Sequence, residues 1–166
     1  MGSPGSELRD GMRIEWDVPI PMVLSRGSHP QWSEQLISLP LTPDLGRLIG
    51  YYLSEGSADD RRLVFSFHEK EQNYRNDVRR IIHRSLGLRG YETKNTGLGR
   101  NVRYDSVVLA RVFGSLGKKC DKKSVPPAFM TAPKAVREEP KRFHPVAVST
   151  HDAGLKINSR SGYYEP

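Results

Sequence analysis

Glu55 stands directly before Gly56 at the end of an apolar run, and Gly46, Gly50 and Ser54 recur at every fourth residue through that run. This spacing puts three small side chains on one face of a helix, where another backbone can come close, although each interior glycine costs about 1 kcal/mol relative to alanine. The natural visitor in a soluble protein is a second helix, packed at the short distance that small residues permit. The other face, Leu45, Leu48, Ile49 and Leu53, suits the domain's own core. A carboxylate at a helix C-terminus adds to the negative end of the dipole and to open backbone carbonyls, a set of hard oxygens suited to a divalent cation such as Mg²⁺. Taken by itself, such an acid is more often an ordinary exposed helix end. If two such helices pair, two glutamates meet, which is the minimum equipment for metal-assisted phosphodiester hydrolysis.

The elements that must position this acid are legible from periodicity. Thr42 is the expected N-cap of the helix over 45–55, with Pro43 at its first position and Asp44 in its first turn. After a polar turn at 57–60, residues 62–68 alternate as in a half-buried strand, with Leu63, Phe65 and Phe67 inward and Arg62, Val64, Ser66 and His68 outward. Residues 69–86 switch to helical spacing, with Tyr74, Val78, Ile81, Ile82 and Ser85 on one stripe, Arg75, Arg79, Arg80 and Arg84 off it, and Gly87 as the stop. Two further strands, 88–94 and 100–105, are expected across a hairpin loop at 95–99, with Val102 and Tyr104 inward. The Gly97-Leu98-Gly99 run lacks the strand-then-helix setting of a phosphate cradle and reads as a turn. Ser106 then caps a short helix ending near Leu116, and 126–139 is expected to form another. Hairpins alternating with helices predict an α+β domain with an antiparallel sheet over 41–139. Residues 1–40 read as an extended lead-in draped over the core, with a short strand near 12–16, and 140–166 as an irregular or disordered tail.

Charge points to the class of partner. The 166-residue chain carries a net charge of +7; between 60 and 123 it holds 16 basic and 7 acidic residues, against 10 and 12 elsewhere. A surplus localised in this way favours a polyanion, since neutralising phosphates releases condensed counterions. Cys120 is the single cysteine, which excludes an internal disulfide framework and a structural zinc site. No apolar run of membrane-spanning length and no signal-peptide layout is present, so an intracellular protein, cytoplasmic or organellar, is expected.

Leu48-Ile49-Gly50-Tyr51-Tyr52-Leu53-Ser54-Glu55-Gly56 resembles the nine-residue motif of the LAGLIDADG homing endonuclease family, in the form found in intein-borne and intron-borne members. Phe65-Ser66-Phe67-His68-Glu69-Lys70-Glu71 is similar to the family's strand leading into its second helix, and Lys122-Lys123-Ser124-Val125-Pro126 followed by Ala132-Pro133 to its inter-repeat segment, so the likeness runs over about 42–139. The resemblance implies an αββαββα domain with a saddle-shaped sheet lying over double-stranded DNA, motif helices paired at a domain or subunit interface, and Mg²⁺ or another divalent cation as cofactor. By position it implies a metal-binding acid at Glu55, with Ser54 beside it, interface positions at Gly50 and Ser54, to which the small-residue spacing adds Gly46, and a basic residue at Lys122 or Lys123 near the scissile phosphate. On the sheet face away from the apolar side chains, Ser57, Asp59, Arg62, Ser66 and His68 from the first hairpin are candidate DNA contacts. Glu92, Lys94, Arg100, Asn101 and Arg103 are their counterparts from the second.

The chain departs from two-repeat members in having no second small-residue helix or acid-glycine pair after 139. It is expected either to act as a homodimer cutting a roughly palindromic site or to be a shortened two-repeat enzyme. The alternative is a DNA- or RNA-binding, maturase-like protein that does not cut. Self-splicing is excluded, because Asn158-Ser159 follows Ile157 and no N-terminal nucleophile block fits.

Overall fold

The computed structural model describes residues 12–22, 31–118, 122–140, 148–149 and 156–157. Its first element corrects the expected lead-in: β1 (Arg13–Met22) and β2 (Gln31–Pro40) form a ten-residue antiparallel ribbon, with Ile14 opposite Leu39 and Trp16 opposite Ile37. Ile14, Trp16, Val18, Ile20 and Met22 hold every second position of β1, a strand period masked by Pro19 and Pro21 between them. Two residues apart, these prolines remove N–H groups from a single backbone edge, which a two-stranded ribbon can leave outward and unpaired. Ile14 and Val18 are buried in the main core, so the lead-in is part of the folded unit.

The helix α1 (Pro43–Glu55) follows as its caps predict, with the Thr42 hydroxyl accepting the Leu45 N–H at 3.1 Å. The chain then runs through β3 (Gly56–Ala58), β4 (Arg62–His68), α2 (Gln72–Leu86), β5 (Tyr91–Lys94), β6 (Gly99–Asp105) and α3 (Val107–Gly114). The four strands form one sheet in the order β3-β4-β6-β5, antiparallel at every step. From α1 to α3 the succession is therefore helix, two strands, helix, two strands, helix, a mixed α+β unit. The helices bury one face of this sheet: Leu63, Phe65, Phe67, Val102 and Tyr104 meet α1, α2 and α3, and Tyr52, Phe65 and Phe113 form an aromatic cluster with centroids 5.2–6.4 Å apart.

Three details differ from the periodicity reading. In α2 the buried stripe is Arg75, Val78, Ile81 and Ile82, while Tyr74 and Ser85 are exposed. Arg75 enters the core because its Nη1 donates to the backbone carbonyls of His68 (2.8 Å) and Glu69 (3.1 Å), while its buried Nε, without a hydrogen-bond partner among the described residues, lies 3.4 Å from the Glu92 carboxylate. Gly87 does end α2, in the left-handed conformation (φ 68°) that suits a residue without a Cβ. The helix expected over 126–139 is broken into a 3₁₀ turn (Pro127–Met130) and α4 (Lys134–Arg137), since Pro133 cannot donate the N–H a continuous helix needs. In the expected irregular tail, β7 (Val148–Ser149) pairs with β8 (Lys156–Ile157); the rest of 141–166 lies outside the described residues, as does the 119–121 part of the basic loop. No helix among the described residues is long and apolar enough to cross a membrane.

Candidate nucleic-acid interface and acidic helix tip

Helix α1 is buried on nearly every side, with all residues from Leu45 to Leu53 except Arg47 inaccessible. A helix apolar all round belongs in the middle of a structure, and here its last residue, Glu55, emerges at the surface where the chain enters the edge strand β3. Gly56 takes up that junction without left-handed geometry (φ −86°). Its Cα lies so close to the turn before it that an added Cβ would fall 2.6 Å from the Tyr52 Cα, and this close approach requires glycine.

The carboxylate of Glu55 accepts no hydrogen bond and forms no ion pair among the described residues. Its proton affinity is pushed above the usual 4.5 by loss of water around it, then by the negative charge of Glu71, with Lys123 opposing. The nearby acid is itself engaged: Glu71 accepts the His68 backbone N–H at 2.7 Å.

Lys123 has a different position from the one implied by resemblance. It is 4% exposed, and its ammonium donates to the backbone carbonyls of Tyr52 (2.8 Å), Leu53 (3.3 Å) and Gly56 (2.5 Å) while lying 4.9 Å from the centre of the Tyr52 ring. A buried lysine thus neutralises the negative end of α1 and uses the carbonyl oxygens expected to be open for a cation. Tyr52 reinforces the same corner by donating its hydroxyl to the Gly117 carbonyl at 2.9 Å, at the start of the loop that leads to Lys123. Lys122, in contrast, is exposed. Ser54 does not reach the tip either: its hydroxyl turns back to the carbonyls of Gly50 and Tyr51, both at 3.2 Å. No group of three or more His, Cys, Asp or Glu close enough to hold a metal occurs among the described residues. A cation held by Glu55 would therefore be completed by water and by oxygens from outside this chain, a donor set that fits Mg²⁺, which keeps several waters and takes one or two carboxylates with phosphate.

The small-residue face also needs correction. A Cβ added at Gly46 would lie 2.7 Å from the Val136 carbonyl oxygen and 3.3 Å from the Glu139 Cβ, so the notch expected to receive a second helix holds this chain's own 136–140 segment. Arg47 fastens that segment by donating to the Glu139 carboxylate at 3.0 Å. Gly50 is buried as well, and Ser54 is half-buried.

The open face of the sheet carries polar residues, but register reassigns three of the five expected from the second hairpin. Arg62 lies opposite Asp105, Val64 opposite Arg103, Ser66 opposite Asn101 and His68 opposite Gly99, all on the face away from the helices. Ser57, opposite Val64, shares that face. Arg100, in contrast, pairs with the buried Phe67, and Glu92 and Lys94 are level with Val102 and Arg100, so these three belong to the helix side. Glu92 demonstrates it by pairing with Arg75 (3.4 Å) and Arg79 (3.1 Å) of α2. Tyr91 and Thr93 take their places on the open face, opposite Arg103 and Asn101. An aromatic at 91 suggests an inward residue by alternation, whereas pairing with β6 turns it out. Asp59 closes the β3–β4 turn, accepting the backbone N–H groups of Arg61 (2.8 Å) and Arg62 (2.7 Å), and so is a structural residue. Its side chain also holds the Arg62 guanidinium at 3.1 Å. Arg103 pairs with Asp105 at 2.8 Å and lies 5.5 Å over the Tyr91 ring, whose hydroxyl donates to Asp105.

No family model matches this chain. Over 115 residues it is 35% identical to an uncharacterized protein of Methanocaldococcus jannaschii, an alignment that takes in 61% of this chain. The chain spans 12% of that relative's length.

Proposed function

We propose that this chain is a LAGLIDADG-type DNA endonuclease domain that hydrolyses phosphodiester bonds with a divalent cation, Glu55 being the acid it contributes. Supporting the reading are the motif over 48–56, the antiparallel α+β succession between α1 and α3, and the polar sheet face. The observation that carries it is Glu55 itself: a carboxylate at the surface tip of a buried helix, without a hydrogen-bond partner among the described residues and crowded by Glu71.

On this reading the open face lies in the major groove. Arg62 and Arg103 hold phosphates, and Ser66, Asn101 and Thr93 are short enough to meet base edges. Asp59 and Asp105 each hold one of the two arginines in an ion pair that a phosphate would replace. Lys123 is a positioning residue, cancelling the negative helix end beside Glu55. Lys122 is the exposed cation available near the phosphate. When bound, Mg²⁺ supplies activation of water and neutralisation of the attacked phosphate. A second copy of the chain, or a second repeat in a longer protein, brings the second acid.

A second reading, binding without cutting, is favoured by the segment lodged over Gly46, which blocks close pairing of α1 with another helix there. RNA is an available partner in that case. The two readings separate on a randomised plasmid library incubated with Mg²⁺ and the protein, followed by sequencing of break ends. Breaks at a defined site that vanish in Glu55→Gln support the nuclease, breaks that persist in that variant remove Glu55 from the chemistry, and retention of DNA without breaks leaves the second reading.

A further inference from the structure

On the side of the domain opposite the proposed duplex face, the outer surface of α2 and the loop that follows it enclose an open cleft of about 550 Å³. Asn76, Arg79, Arg80 and His83 line it from α2, at the three- and four-residue intervals that place side chains on one helix face, and Arg89 lines it from the loop. The left-handed Gly87 reverses the chain at the end of α2 and so brings Arg89 back towards the helix.

The positive charge here exceeds what structure requires. Arg80 is committed, donating to Asp44 (3.1 and 3.3 Å) and Asp77 (3.0 and 2.6 Å), and Arg79 gives one nitrogen to Glu92 at 3.1 Å. The carboxylates are themselves shared, Asp77 with Arg47 and Glu92 with Arg75. Nothing remains among them to balance Arg89, and among the described residues no carboxylate lines the cleft. Cations in the last turn of a helix are ordinary partners for its dipole, which accounts for His83 and Arg84. Arg89 lies beyond the helix and receives no such explanation.

We infer that this cleft binds a phosphate group, with Arg79, His83 and Arg89 as its donors and Arg80 as a fixed cation behind them. Guanidinium forks match phosphate oxygens in pairs, and Asn76 adds an amide donor. The phosphate belongs either to a nucleic-acid backbone passing behind the domain or to a free phosphorylated molecule. The assignment does not depend on Glu55 or on the open sheet face.

The test follows backbone amide NMR shifts of the full chain while sodium tripolyphosphate is added. The expected result is saturable shifts centred on Asn76, His83, Arg89 and Gly90, with affinity falling at least tenfold in His83→Ala/Arg89→Ala. Those two side chains are exposed, so the variant keeps its fold, which its remaining amide spectrum checks. Lys70→Ala/Lys134→Ala, which removes two exposed cations elsewhere, leaves the affinity unchanged. Absence of shifts at millimolar tripolyphosphate, or equal affinity in the cleft variant, overturns the inference. Random-sequence duplex and single-stranded RNA then distinguish the sources. If the cleft variant lowers the slope of log affinity against log salt by about one or more, the phosphate is a backbone one. An unchanged slope beside lost tripolyphosphate binding assigns the site to a free phosphorylated molecule.

Discussion

At Glu55 chemistry and stability pull against one another. Its carboxyl is raised above the usual 4.5, so the folded chain holds that proton more tightly than the unfolded chain does. A raised acid penalises the fold when ionised: the penalty is present above its folded pKa and disappears as pH falls below the unfolded value. Glu55→Gln should therefore raise the melting temperature at pH 7–8 and leave it unchanged near pH 4, measured by thermal denaturation at both. The same substitution should abolish any stabilisation that millimolar Mg²⁺ confers on the wild type, because a cation bound only by the folded state stabilises by mass action. Equal Mg²⁺ responses in the two proteins would remove Glu55 as the ligand.

The opposite balance holds at Lys123. Its buried ammonium satisfies three carbonyls at the end of α1, and losing it strands those oxygens away from water. Lys123→Met is expected to cost about 2–3 kcal/mol in urea denaturation despite the gain of an apolar side chain. A cost near zero would mean that water reaches the helix end.

Among the elements, α1 and its covering segment set up a contest whose sign can be calculated. Propensity alone makes Gly46→Ala favourable by about 1 kcal/mol, while the new Cβ would meet the Val136 backbone oxygen at 2.7 Å, and such overpacking costs about 1–3 kcal/mol. Backbone cannot swing aside as a side-chain tip can, so the clash wins and a net loss of about 1 kcal/mol is expected. Stabilisation instead would show that the 136–140 segment is loosely held. On the sheet, Asp105 restrains Arg103 and adds a negative charge to a face read as phosphate-binding. Asp105→Asn should tighten duplex binding about threefold to tenfold in low salt and steepen its salt dependence, read by fluorescence anisotropy; weaker binding would place the DNA elsewhere.

For the whole molecule, assembly turns on whether α1 can reach a second α1. Glu139→Ala releases Arg47's hold on the segment over Gly46. If paired motif helices are the active form, sedimentation should detect a larger dimer fraction in this variant than in the wild type at equal concentration. A strict monomer in both would confine the chain to binding unless a second repeat comes from a longer protein. That possibility bears on the relative from Methanocaldococcus jannaschii, of which this chain spans 12%.

Local chemistry is legible in the residues alone: Thr42 and Ser106 as caps, Gly87 as a stop, the inward Leu63, Phe65 and Phe67, and the α+β succession all follow from interactions within a few residues of one another. The β1–β2 ribbon was equally present as a two-residue period, yet prolines at the alternate positions disguised it. The remaining features depend on partners distant in sequence. Strand register moved Glu92, Lys94 and Arg100 to the helix side, because a sheet face is fixed by which residue lies opposite, and a shift of one reverses it. The 136–140 segment filled the Gly46 notch, and Lys123 crossed 67 residues to reach the Gly56 carbonyl. Spacing along a chain reveals which face a side chain takes, whereas what meets that face is settled by the packing of the whole.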